Sequence, residues 1–178
     1  MIIKNIRGYI KLYDNENYLF SVISPVARKR GYLTFGEYYK ICMWKSNRQK
    51  PRYIKNIQTA LNITKEAFSE NDETKKIKTL CKLEGVGIPT ASAILAVVFP
   101  DKYGVIDVRC IDMLRKFNFP IRQQITIKNW LKYLEVLRKL ASENKVTPRE
   151  VDMALFAMHR EKLEKDNFRN LYKKYAPK

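Results

Sequence analysis

Apolar residues recur along this chain at three- and four-residue spacing almost throughout, which predicts a succession of amphipathic helices. Tyr18, Leu19, Val22 and Ile23 form one stripe, predicting a helix from the capping acid Asp14 to Ser24, closed by Pro25. Thr34 with Glu37 makes a capping box for a helix through Tyr38, Ile41, Cys42 and Lys45 toward Asn47. Residues 52 to 69 read as two short helices, the second starting at Asn62 or Thr64. Asn71-Asp72 caps a helix ending near Leu83, with Ile77, Leu80 and Cys81 on one face. Val105 to Lys116 is apolar at Val105, Val108, Ile111 and Leu114, and Phe117 to Gln124 is a loop. Thr126 caps a long helix bearing Trp130, Tyr133, Leu134, Leu137 and Leu140. Thr147-Pro148-Arg149-Glu150 is a capping box with proline in the first turn, opening a helix from Val151 to Arg160 or beyond. Ile2 to Leu12 is the one candidate strand, and Tyr172 to Lys178 reads as a frayed basic tail. The expected fold class is all-α, as a single unit over residues 1–178.

Charge changes the picture. The 178 residues include 35 Lys and Arg against 18 acids, a formal net charge of +17. Nucleic acid is the leading explanation, because phosphate contacts drive binding through counterion release; the plain alternative is a lysine-rich solvated surface. No apolar run approaches the roughly 18 residues that span a bilayer, and Met1-Ile2-Ile3-Lys4-Asn5 does not read as a secretion signal, so an intracellular location is expected. Cys42, Cys81 and Cys110 are far apart and lack any C-x-x-C spacing, which argues against a disulfide framework and against a zinc or iron–sulfur site. They read as buried thiols. The lone histidine, His159, reads as an ordinary half-buried or surface residue.

The densest signal lies in Leu83-Glu84-Gly85-Val86-Gly87-Ile88-Pro89-Thr90-Ala91-Ser92-Ala93-Ile94-Leu95. An apolar helix end, a tight Gly-Val-Gly turn and a helix of small residues form a helix-hairpin-helix over residues 80–96. Its backbone N–H groups, at a helix N-terminus, suit a phosphate, and two glycines let that phosphate approach without an obstructing Cβ. Thr90 either donates to the same phosphate or caps locally, while Ala91, Ala93 and Ala96 are small for close helix packing. About twenty residues after Gly87 comes a lone acid, Asp107, in Tyr103-Gly104-Val105-Ile106-Asp107-Val108-Arg109. The plain reading makes Asp107 a helix cap, and capping and chemistry are compatible. Lys102 and Arg109 are either phosphate contacts or solvated charges.

Leu-x-Gly-Val-Gly-x-x-Thr-Ala-x-x-Ile-Leu followed at this distance by Ile-Asp-Val resembles the helix-hairpin-helix Gly/Pro-Asp (HhH-GPD) DNA glycosylase superfamily, strongly over residues 80 to 114 and more weakly at Val151-Asp152-Met153-Ala154-Leu155-Phe156. The chain also resembles a little-characterised branch without an iron–sulfur cluster, which carries the stretch seen here as Trp44-Lys45-Ser46-Asn47-Arg48 and the Gly-Val-Gly-x-Pro-Thr-Ala-Ser hairpin. The resemblance implies a two-lobed helical fold and a monomer acting on double-stranded DNA that contains an altered base. That enzyme would flip the base and hydrolyse its N-glycosidic bond, in base excision repair or in defence against modified foreign DNA. It implies catalysis by Asp107, whose carboxylate would stabilise positive charge on the deoxyribose, and strand contacts from Gly85, Val86, Gly87, Thr90, Lys45, Arg48 and Arg109. It further implies a bridging K+ or Na+ on the backbone of Gly85 and Gly87, with no other cofactor. An early helix with Tyr39, Trp44 and Ser46 would line the base pocket; the alternative places Trp44 in the core, with Lys45, Arg48, Lys50 and Arg52 as a basic edge. Members that also cleave the backbone carry a lysine where this chain has Pro89, so the expectation is a monofunctional enzyme, with Lys82 pointing elsewhere. The competing readings are a non-catalytic helix-hairpin-helix DNA-binding module and an interaction subunit of a repair or restriction complex, the latter with an exposed apolar face on the helix from Thr126 to Asn144.

Overall fold

The computed structural model describes residues 1–13 and 18–175, with side chains as far as residue 165. Ten α-helices follow in order: α1 (Ile6–Leu12), α2 (Ser24–Arg30), α3 (Phe35–Lys45), α4 (Lys50–Tyr53), α5 (Ala60–Ser69), α6 (Glu73–Leu80), α7 (Ile88–Val98), α8 (Val108–Lys116), α9 (Ile127–Asn144) and α10 (Pro148–Tyr175). Shorter turns of helix fill residues 19–23, 47–49 and 54–58, and no strand occurs among the described residues.

Local chemistry sets most boundaries. The Thr34–Glu37 capping box forms in full, with the Glu37 N–H donating to Thr34 Oγ1 at 3.4 Å and the Thr34 N–H to Glu37 Oε2 at 2.8 Å. Asp72 and Thr126 accept from the N–H groups of Lys75 and Asn129, and Thr147 and Glu150 close the reciprocal box at the start of α10. Other boundaries differ from the pattern-based expectation. The segment 19–23 is a turn of π-helix that runs straight into α2, so Pro25 lies within a continuous helical run and does not close it; the helix ends instead at Gly31, with φ +82°. The proposed start at Asp14 lies outside the described residues. The second helix of the 52–69 stretch starts at Ala60, α6 stops at Leu80, and α8 starts at Val108. Ile2 to Leu12 is no strand: Ile6 onward coils so that α1 packs along α10. The helical backbone of α10 continues through Tyr175, so residues 172–175 of the expected frayed tail are helical, and residues 176–178 lie outside the described residues.

Helices α1, α8 and α9 pack on α10, while α2, α3 and α6 pack on α7. Helix α7 is buried on every side from Thr90 to Val98, which explains its run of small and apolar residues without an amphipathic period. Between α7 and α8 residues 103–107 form neither helix nor strand, reaching Asp107 on extended backbone, and three buried groups hold the segment. The Val105 N–H donates to Asp152 Oδ2 at 2.6 Å, the Tyr133 hydroxyl donates to the Val105 carbonyl at 2.9 Å, and the Ile106 N–H donates to Ser92 Oγ at 3.1 Å. Asp152 also pairs with Arg149, and both side chains are almost wholly buried.

Gly104 lets this segment lie so close. A Cβ there would meet Leu137 Cδ1 at 2.4 Å, Asp152 Oδ2 at 2.8 Å and the Pro148 carbonyl oxygen at 2.9 Å. Gly104→Ala is therefore expected to lower stability by about 1–3 kcal/mol through overpacking, whereas Gly36→Ala, with open space around the position, should raise it by up to about 1 kcal/mol. Urea denaturation of the two variants checks both signs.

Candidate functional site

A cleft of about 700 Å3 opens between the C-terminal end of α3 and the faces of α8 and α10. Its walls carry Trp44, Lys45, Ser46 and Arg48 from one side, Asp107 and Arg109 from the start of α8, and Arg149, Phe156 and Arg160 from α10. Pro89, in the first turn of α7, also reaches it. A volume of this size lies within the roughly 300–1,000 Å3 of small-molecule sites.

Asp107 caps α8, accepting from the Arg109 N–H at 3.0 Å through Oδ1. Its other oxygen, Oδ2, receives the Lys45 ammonium at 2.8 Å, and the two side chains are only 15% (Lys45) and 24% (Asp107) exposed. Burial works against the carboxylate charge, but the Lys45 ammonium and the Arg109 N–H and guanidinium outweigh it and hold the carboxyl below its ordinary value. The plain reading of Asp107 as a cap and the reading of it as a cleft carboxylate therefore hold together. The cleft wall behind this pair is aromatic and cationic. The Arg149 guanidinium lies 4.9 Å from the Tyr13 ring centre, 5.2 Å from Phe20 and 5.4 Å from Trp44. Tyr13 meets the edge of Phe156 at 5.6 Å, and Arg109 covers that ring at 4.9 Å. Trp44 is thus packing residue and cleft wall at once.

The hairpin turn is built from a second site in the sequence. Asn56 donates to the Glu84 carbonyl at 2.9 Å and to the Tyr38 hydroxyl at 2.8 Å, while its Oδ1 accepts the Glu84 N–H at 2.8 Å. One buried amide thus reads both backbone groups of the residue before Gly85. Gly85 takes φ +80°, and a Cβ there would press to 2.9 Å from Arg52 Cβ, so α4 seats directly against the turn. Gly87 caps α7 with extended backbone and no side-chain cap. The first-turn N–H groups of a helix have no intrahelical acceptor, and Gly87 is exposed. Arg48, Lys50 and Arg52 stand exposed on the adjoining segment.

Some expected site residues lie elsewhere. Thr90 is buried with its hydroxyl 3.5 Å from that of Tyr53, so the side chain serves the core and not a phosphate. Tyr39 packs against Phe35 at 5.8 Å and does not line the cleft. Lys82 pairs with Glu66 at 2.8 Å on the surface. Lys102 is exposed and outside the cleft lining. His159 sits 3.5 Å from Asp112, outside the cleft lining. Cys42 and Cys110 are buried, Cys81 half-buried; burial pushes the Cys42 thiol up to about 12. Among the described residues no group of three or more His, Cys, Asp or Glu is placed to hold a metal ion, and no helix is long and apolar enough to cross a membrane. Arg149, Asp152, Phe156 and Arg160 had no local signature as site residues beyond a spacing of three or four along one helix face. Comparison with protein-family models, with curated proteins and with solved structures returns no match.

Two outcomes follow. Asn56→Ala should cost about 1–2 kcal/mol by leaving two part-buried backbone groups without their side-chain partner, and hydrogen exchange should show the Glu84 amide losing protection before the core amides. Because the folded Asp107 carboxyl lies below its unfolded value, its pairing contributes stability above the ordinary carboxylate range, about pH 3.9, and loses it as pH falls through the lowered folded value. The stability gap between the native chain and Lys45→Gln is therefore expected to be full at pH 7 and to close below about pH 4, read from denaturation curves across pH.

Proposed function

We propose that this chain is a base-excising DNA glycosylase of two helical lobes. A nucleotide is everted from the duplex into the cleft, and its N-glycosidic bond is hydrolysed beside Asp107. The observation that carries this reading is shared placement: the cleft that holds Asp107 is also lined by Pro89, in the first turn of the helix that leaves the Gly85–Gly87 hairpin. A turn suited to a phosphate and a carboxylate suited to a cationic sugar thus serve one site. The resemblance of residues 80 to 114 to the HhH-GPD glycosylases supports the same assignment, as does the division of helices into those packed on α7 and those packed on α10.

In this reading the exposed Gly87 turn grips the strand with Arg48, Lys50 and Arg52 beside it. A monovalent cation on the Gly85 and Gly87 backbone would belong to the same contact. The everted base meets Trp44 and Phe156, with Ser46 and Arg160 as polar edges. As the glycosidic bond lengthens, positive charge grows on the sugar and the Asp107 carboxylate offsets it. Asp107 stays ionised through the neutral range because its carboxyl is held low. The net charge of +17 supports a salt-sensitive grip on the DNA backbone. A subunit role is less well supported, since Trp130, Tyr133, Leu134, Leu137 and Leu140 of α9 are all buried.

The test is base release from a panel of duplexes, each with one altered base, analysed after hot alkali. The native chain should release one base, and Asp107→Asn, which keeps the α8 cap, should release it at least about 100-fold more slowly while binding DNA as well or better. Equal, salt-sensitive binding by both forms with no release from any duplex would favour the binding-module reading.

A further inference from the structure

The hairpin offers no amine at Pro89, yet the cleft contains one. Lys45, the last residue of α3, enters from the opposite wall and places Nζ 2.8 Å from Asp107 Oδ2. Among the described residues, the other cations lining the cleft are guanidinium groups: Arg48, Arg109, Arg149 and Arg160. A guanidinium does not add to an aldehyde, whereas a primary amine does. We propose that Lys45 is the nucleophile of an abasic-site lyase, so that this chain cuts the DNA strand after the base has left. The proposal rests on the cleft being the site where a deoxyribose docks beside Asp107.

The chemistry closes without an added reagent. An abasic deoxyribose is in equilibrium with its open-chain aldehyde. The Lys45 ammonium gives up one proton, for which the Asp107 carboxylate is the adjacent acceptor, and the free amine forms a bond to C1′. Protonated Asp107 returns that proton to the carbinolamine hydroxyl, which leaves as water and gives a protonated imine. That imine acidifies the C2′ hydrogens; loss of one C2′ proton to a base pushes electrons toward C3′, and the C3′–O bond breaks. The leaving group is the phosphate that becomes the 5′ end of the downstream strand. Water then hydrolyses the unsaturated imine, returning the amine to Lys45 and the water consumed balances the water lost.

The geometry suits an amine that must be held and then freed. Lys45 is mostly buried, so its reach is limited to the cleft. Ser46 leaves the helix with extended backbone, φ −165° and ψ 123°, so α3 ends at the lysine and the following residues continue along the same cleft wall. By contrast Lys82 lies on the surface with Glu66, and Lys50 and Lys55 are exposed beside the hairpin, outside the cleft lining.

The experiment uses the full chain and a duplex with one preformed abasic site, which needs no base excision. With sodium borohydride present, the native chain should give a covalent protein–DNA adduct stable to denaturing electrophoresis. Without borohydride it should cleave the strand in the absence of alkali. Peptide mapping of the trapped adduct should place the sugar remnant on Lys45. Lys45→Arg keeps a cation against Asp107 and should abolish the adduct and slow cleavage at least 100-fold, with the thermal midpoint checking that it folds. An adduct that persists in Lys45→Arg, or maps to the N-terminal amine or another lysine, overturns the assignment. So does tight binding of the abasic duplex with neither adduct nor cleavage. The outcome separates from that of base excision: trapping without release of any base upholds the lyase while sinking the glycosylase, and alkali-dependent release without trapping does the reverse.

Discussion

The structure turns on one buried carboxylate. Asp152 is paired with Arg149 and accepts the Val105 N–H, all within the core. Removing one member of such a buried pair typically costs about 3–5 kcal/mol, far more than the pair adds over an apolar substitute. Its value here lies in placement. The irregular segment before α8 belongs to neither helix nor sheet, so its backbone groups need acceptors and donors from side chains. Asp152, Tyr133 and Ser92 supply them from α10, α9 and α7 in turn. The segment is thereby fixed against three helices at once, and Asp107 leaves it at a defined point on the cleft wall.

The hairpin is held by the same economy. A turn of two glycines has little side-chain surface with which to anchor itself, and Gly85 adopts a left-handed conformation. Asn56 compensates by binding both backbone groups of Glu84. Tyr38 and Tyr53, both buried, flank this amide, and their rings meet edge to face at 6.4 Å. The two halves of the candidate site, carboxylate and turn, are each positioned by a buried polar side chain contributed by a different helix or turn.

These two arrangements mark what the sequence does and does not disclose. Thr34 with Glu37, Asp72, Thr126 and Thr147 with Glu150 are legible because a cap is a contact over three residues. Asp107 is legible as a cap for the same reason, and as a candidate catalyst through its distance from the hairpin. The partners of those groups are not legible. Lys45 lies 62 positions from Asp107, Asn56 lies 28 from Glu84, and Asp152 lies 47 from Val105. Nothing local distinguishes Asn56 from any other polar residue in a basic stretch. Pro25 and Thr90 misled for a related reason: each type is compatible with two roles, and the surrounding structure decides between them. Proline closes a helix or lies near the start of one, and a threonine at a helix start faces solvent or core.

The separation between Lys45 and Asp107 also has a consequence in time. A ribosome releases Lys45 well before Asp107, and the carboxylate that steadies the Asp107 segment follows later still, at position 152. An amine and a carboxylate brought together over such a distance have no local contacts to join them early. The pair therefore forms only after the chain has been made as far as Asp107, and the segment that carries the carboxylate is steadied only once position 152 has followed.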